Sequence, residues 1–144
     1  MITLSDLTRF LQPLKNRIYT IVGRCILTAI DNSEPTQKVQ VISLGNETHD
    51  GIERMQEYGL ETFPETEAEG VTLNIGGNKA MGLVICIHDS RYRPIDLVSG
   101  EVSLYSKFGQ RITLKADGSI FINAGTAPVQ VTGSDITLTG NVNL

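Results

Sequence analysis

The chain has 144 residues, 40% of them hydrophobic and 19% charged, and its 12 Lys and Arg against 16 Asp and Glu leave a net charge of −4. That balance belongs to a globular chain of one domain, or of a small domain with an elongated extension, and not to a disordered one. It also argues against nucleic acid as a partner, because such proteins concentrate Lys and Arg to neutralise phosphates, whereas here only Arg91, Arg93 and nearby Lys79 form a basic group. No run approaches the roughly 18–20 apolar residues of a membrane-spanning helix. The N-terminal MITLSDLTRF has no basic start followed by an apolar run, so synthesis in the cytoplasm without a signal peptide is expected.

Residues 1–17 read as a short helical docking segment. Leu4, Leu7, Leu11, Leu14 and Ile18 recur at three- and four-residue steps, with Thr3 or Ser5 as candidate cap. Pro13 lacks the amide proton that a continuous helix needs, so it is expected to kink or end the helix. A helix this short is marginal unless it docks, which makes Leu4, Leu7, Leu11 and Leu14 candidate docking residues.

Residues 18–97 read as β. Ile18–Ile30 is long and β-branched, which suits a curved strand. Val39 and Val41 alternate with polar neighbours, after a turn-rich loop at Asp31–Thr36. Further runs at Gly70–Ile75 and Met81–His88 flank Gly76-Gly77-Asn78-Lys79, which reads as a hairpin turn. Several strands in so short a span, one of them long, favour a small closed barrel of the OB type. Cys25 and Cys86 sit in apolar runs without CxxC spacing and read as small buried apolar side chains.

Residues 98–144 change pattern. Apolar residues come as pairs two apart: Ile112 and Leu114, Ile120 and Ile122, Val129 and Val131, Ile136 and Leu138, Val142 and Leu144. The first members, at 112, 120, 129, 136 and 142, are spaced by 8, 9, 7 and 6 positions, with Gly, Asp, Asn and Pro between. This predicts very short strands, each with one apolar face. A strand of about five residues that buries two side chains gains about 3–6 kcal/mol, against about 5–10 kcal/mol for fixing its backbone. One copy of such a ribbon cannot make its own core, whereas several copies around one axis can. An obligate oligomer with an intertwined β-helix or β-prism is therefore expected, and these ten residues are its candidate core.

The segment Asp50-Gly51-Ile52-Glu53-Arg54-Met55-Gln56-Glu57-Tyr58-Gly59 with Pro64 resembles the Mu-type phage baseplate central spike, the baseplate assembly protein V family. So do Gly76-Gly77-Asn78-Lys79, His88-Asp89-Ser90-Arg91-Tyr92-Arg93-Pro94, Gly100-Glu101-Val102-Ser103-Leu104-Tyr105 and Gly109-Gln110-Arg111-Ile112. The resemblance implies an all-β homotrimer: a short N-terminal helix, an OB-like barrel and a triple-stranded β-helix. It would sit in the virion at the centre of a contractile-tail baseplate, bound to a hub protein, and be driven through a Gram-negative outer membrane. Arg91, Tyr92 and Arg93 would lie at the junction of barrel and shaft. Members of the family end in a tip where a His-x-His pair from each chain holds iron. The histidines here are His49 and His88, no such pair exists, and the chain ends within the alternating pattern, so a shaft without that tip and without a cofactor is expected.

Enzymatic readings are weaker. His88-Asp89-Ser90 contains three triad residue types, but neighbours on a strand point to opposite faces and cannot converge. Gly76-Gly77-Asn78-Lys79 lacks the spacing of a phosphate loop, and Glu61, Glu65, Glu67 and Glu69 do not match a calcium loop. No enzyme is expected. The chief alternative to a piercing spike is an OB-type adaptor that caps a tail or secretion-system hub. A single-strand nucleic-acid binder is disfavoured by the absence of Trp and the negative charge.

Overall fold

A computed structural model describes residues 3–43 and 45–141, in two compact units that divide between Arg91 and Tyr92. In the first unit, helix α1 (Leu4–Thr20) opens on a reciprocal cap: the Asp6 amide donates to Thr3 Oγ1 at 3.2 Å and the Thr3 amide to Asp6 Oδ2 at 3.0 Å. The helix continues through Pro13 to Thr20, past the expected end at residue 17. Proline at this position leaves the Arg9 carbonyl without its amide donor, and the helix is exposed along its whole length, so water can serve that carbonyl.

Five strands follow: β1 (Val22–Asp31), β2 (Lys38–Ser43), β3 (Glu47–Arg54), β4 (Glu69–Asn74) and β5 (Gly82–His88). They close into a barrel in the order β1-β2-β3-β5-β4, antiparallel except for the β3–β5 pair. The long first strand makes closure possible, because Val22–Ile26 pair with β4 while Cys25–Asp31 pair with β2. It begins at Val22, not Ile18, since the helix takes the residues before it.

Barrel curvature comes from bulges, each of which inverts the in–out alternation. On β1, Thr28 is the extra residue, so the inward set runs Cys25, Leu27 and then Ile30. On β3, the pairing steps from Ile52 to His49 while β2 steps from Val39 to Val41, and Gly51 at φ 67° absorbs the excess. On β5, Ile85 is extra, so Val84 and Ile87 face inward and Cys86 is turned out to solvent. The expectation that both cysteines are buried therefore holds for Cys25 alone. The core is small: Cys25, Leu27, Val39, Val41, Ile52, Ala68 and Val84.

β4 and β5 are joined as a hairpin, but residues 75–81 form two short 3₁₀ turns instead of a tight reversal. The first turn receives the end of α1. Thr20 Oγ1 donates to the Gly77 carbonyl at 3.0 Å, and Asn74 Nδ2 donates to the Thr20 carbonyl at 2.6 Å. A Cβ on Gly77 would lie 2.3 Å from the Arg17 carbonyl oxygen, so only glycine permits this approach.

In the second unit, β6 (Val102–Tyr105), β7 (Arg111–Leu114) and β8 (Ile120–Asn123) form an antiparallel three-stranded sheet. The strands start at 102, 111 and 120, nine residues apart each time. Both turns are built alike: the Gly109 amide donates to the Ser106 carbonyl, and the Gly118 amide to the Lys115 carbonyl, with both glycines at positive φ. Beyond Asn123 no strand forms among the described residues, contrary to the short strands expected at Val129–Val131 and Ile136–Leu138. A lone copy offers these segments no partner strand. Val142 and Leu144 lie outside the described residues.

Candidate assembly surface

Register decides what the second unit presents. Val102 pairs with Leu114 and Leu114 with Ile120, while Leu104 pairs with Ile112 and Ile112 with Ile122. Residues directly opposite share a face, so these six aliphatic side chains form two rows of three on one side of the sheet. They remain between 43% and 67% exposed. On the other side Thr113 is wholly buried, with its hydroxyl 3.2 Å from Ser103 Oγ, while Tyr105 and Phe121 stay partly exposed. Ion pairs Arg111–Asp96 at 2.8 Å and Lys115–Glu101 at 3.3 Å stitch the sheet to the preceding segment. Arg111 holds the Asp96 carboxyl below its ordinary range; the Glu101 carboxyl is held down by the Val98 amide first and by Lys115 second.

Of the ten candidate core residues, the structure thus brings Ile112, Leu114, Ile120 and Ile122 onto one face. Val129, Val131, Ile136 and Leu138 are exposed on a segment without strands. Val102 and Leu104, which sequence reasoning left out, complete the face; they are a further aliphatic pair two apart, ten positions before Ile112 and Leu114.

The N-terminal candidates Leu4, Leu7, Leu11 and Leu14 all lie exposed on α1, which buries no residue. Arg91 is committed inside the barrel unit. It donates to both Asp89 oxygens at 2.9 and 2.8 Å, to Glu67 Oε2 at 2.7 Å and to the Thr66 carbonyl at 2.7 Å. Its guanidinium holds the Asp89 carboxyl below the usual range. Tyr92 and Arg93 are exposed at the start of the second unit.

The Arg91 clasp ties the turn after β5 to the loop between β3 and β4, and a family match ends at the same residue: residues 24–91 fit the profile of "Bacteriophage Mu Gp45, N-terminal". That match takes in just under half of the chain. The chain is 34% identical over 125 residues to the baseplate puncturing device gp45 of Escherichia phage Mu, which covers 87% of this chain and 64% of that protein. It is 23% identical over 150 residues to the Mu-like prophage FluMu protein gp45 of Haemophilus influenzae, covering 96% of this chain and 82% of the relative. The chain therefore spans somewhat less than two thirds of the length of the phage Mu protein.

Within the matched residues, Arg54 explains part of the motif that carries the resemblance. It donates to Gln37 Oε1 at 2.6 Å, to the Thr62 carbonyl at 2.7 Å and to Thr62 Oγ1 at 2.6 Å. Gln56 Oε1 receives the Thr62 amide at 3.0 Å and the Thr62 hydroxyl at 2.8 Å. Side-chain bonds thus hold the loop between β3 and β4 where no strand ladder can, and desolvation pulls the Arg54 pKa down.

The barrel unit does place a serine, a histidine and a glutamate together, but not as a relay. Ser43 Oγ at 3.3 Å and Glu47 Oε2 at 3.7 Å both approach His49 Nε2, whereas a triad uses the two ring nitrogens separately. Glu47 is also engaged by Lys79, which lowers its pKa. In His88-Asp89-Ser90, Arg91 occupies both Asp89 oxygens. Among the described residues no three His, Cys, Asp or Glu side chains gather closely enough to hold a metal ion.

Proposed function

We propose that this chain is a subunit of a homotrimeric central spike in a contractile phage-tail baseplate. The carrying observation is the two-by-three aliphatic face of β6–β8, held in register and left uncovered by its own chain. Completing the burial of six such residues, each about half buried already, would yield about 5–10 kcal/mol per chain. Three copies wrapped about one axis, with the pairs at Val129–Val131 and Ile136–Leu138 continuing the pattern, would form a triple-stranded β-helix that follows the OB-like barrel in the chain. Such a shaft is stiff because no copy can open without breaking contacts to the other two.

The relationship to a protein named as a baseplate puncturing device supports a role in penetrating the outer membrane of a Gram-negative host. The spike would bind the baseplate hub, reside in the virion tail and act by transmitting load, with no bond made or broken and no cofactor or nucleic acid required. Light scattering on the purified chain tests the reading against its 15.7 kDa monomer mass. A mass three times that value, stable to dilution, is expected; a folded monomer overturns the shared β core.

A further inference from the structure

Five exposed aliphatic side chains of α1 share one helix face. Leu4, Leu7, Leu11, Leu14 and Ile18 are separated by 3, 4, 3 and 4 residues, the a/d spacing of a heptad, with exposed Phe10 flanking the seam at g. The assignment also accommodates the proline. Pro13 falls at c, and Arg9, whose carbonyl loses its donor, falls at f, so the defect faces away from the seam. The cap at Thr3 starts the helix one residue before the first seam leucine. The barrel holds the opposite end, through Thr20, Gly77 and Asn74, and leaves all five seam residues exposed, with Leu4 at 85%.

A 17-residue helix with an internal proline and no buried side chain is not sustained by its own hydrogen bonds. We propose that the five residues form the seam of a parallel three-stranded coiled coil with the same helix of two other copies of this chain. Charge selects this occupant. No seam position is charged, and in a parallel assembly a g residue meets the e residue five positions on in its neighbour. Here Thr3 meets Thr8 and Phe10 meets Lys15, so no like charges face each other and one contact sets a cation against an aromatic ring. Cyclic symmetry turns three identical seams toward one axis, and tethering through the trimer raises their effective concentration. The inference rests on the trimer proposed above.

Cysteine cross-linking in the full chain tests it, in a Cys86→Ser background that removes the exposed native thiol. Leu7→Cys and Leu14→Cys sit at d positions, and Arg9→Cys at f serves as control. Mild oxidation should link two of every three chains at either d position and leave the control unlinked, while light scattering shows a trimer. An intact trimer that links at neither d position, or equally at all three, overturns the coiled coil; the first result would assign the seam to another baseplate protein. A monomer overturns both this inference and the trimer.

Discussion

Ile122→Asp is the sharpest perturbation of the apolar face. Ile122 lies in the row Leu104–Ile112–Ile122 and is 58% exposed in the single chain. Full burial of an isoleucine is worth about 1.5–3 kcal/mol, so the part still to be buried is worth about 1–2 kcal/mol per copy and about 3–5 kcal/mol per trimer. At about 1.4 kcal/mol per decade this weakens the association constant by roughly two to three and a half decades. A monomer–trimer midpoint varies as the square root of that constant, so Ile122→Ala should raise it by roughly one to two decades of concentration. Aspartate adds the desolvation of three converging carboxylates, several kcal/mol more, and should leave monomers at any workable concentration. Sedimentation velocity over a dilution series reads the midpoint directly. Phe121→Ala, on the opposite face of the same strand, should leave the mass unchanged. An Ile122→Asp trimer as resistant to dilution as the parent would refute the assignment of this face to the interface.

Three further outcomes probe the barrel. Gly77→Ala places a methyl group 2.3 Å from the Arg17 carbonyl oxygen at a φ of 72°, so the end of α1 should lift away, read as faster tryptic cleavage at Arg17 with the barrel still folded. Arg54→Met strips Gln37 and Thr62 of a charged donor and should cost about 1–3 kcal/mol by urea denaturation. A Glu-specific protease should then cut faster at Glu57 and Glu61. Asp31, Glu47 and Asp89 have depressed pKa values, held down by Ser33, Lys79 and Arg91 respectively. Their contribution to stability is complete above the ordinary carboxylate range and is lost as pH falls through the lowered folded values. The melting temperature should therefore be level near neutrality and drop in acid, and Asp89→Asn should flatten part of that drop.

Much of the barrel was legible because its inward residues alternate plainly, as Val39 and Val41 do. The misses follow from features that alternation does not encode. β3 contributes one buried residue, Ile52, among Thr48, His49 and Asp50, so nothing marked it as a strand until its partners were in place. Cys86 belongs to an apolar run, yet the bulge at Ile85 reverses its direction, and a bulge is set by pairing across two strands. Pro13 was read from backbone chemistry alone, which weighs the lost hydrogen bond but not the exposure that softens it. The apolar face of the second unit was the reverse case: its aliphatic pairs are plain in the sequence, and in the single chain they stay exposed. Val102 and Leu104 are the same kind of pair but lie ten positions before Ile112 and Leu114, outside the six-to-nine spacing of the later pairs.

The Arg91 clasp has a further consequence. Arg91 is the last residue of the barrel unit, so any tension carried along the backbone from residue 92 enters the barrel there. The guanidinium ties that point to Glu67 and the Thr66 carbonyl in the β3–β4 loop, as well as to Asp89 beside it. Pull is therefore split between the end of β5 and a second stretch of chain before any rung of the β4–β5 ladder is strained. Under stretching, the side-chain bonds should yield first and the strand ladder second, so the clasp serves as a strain relief at the barrel's exit.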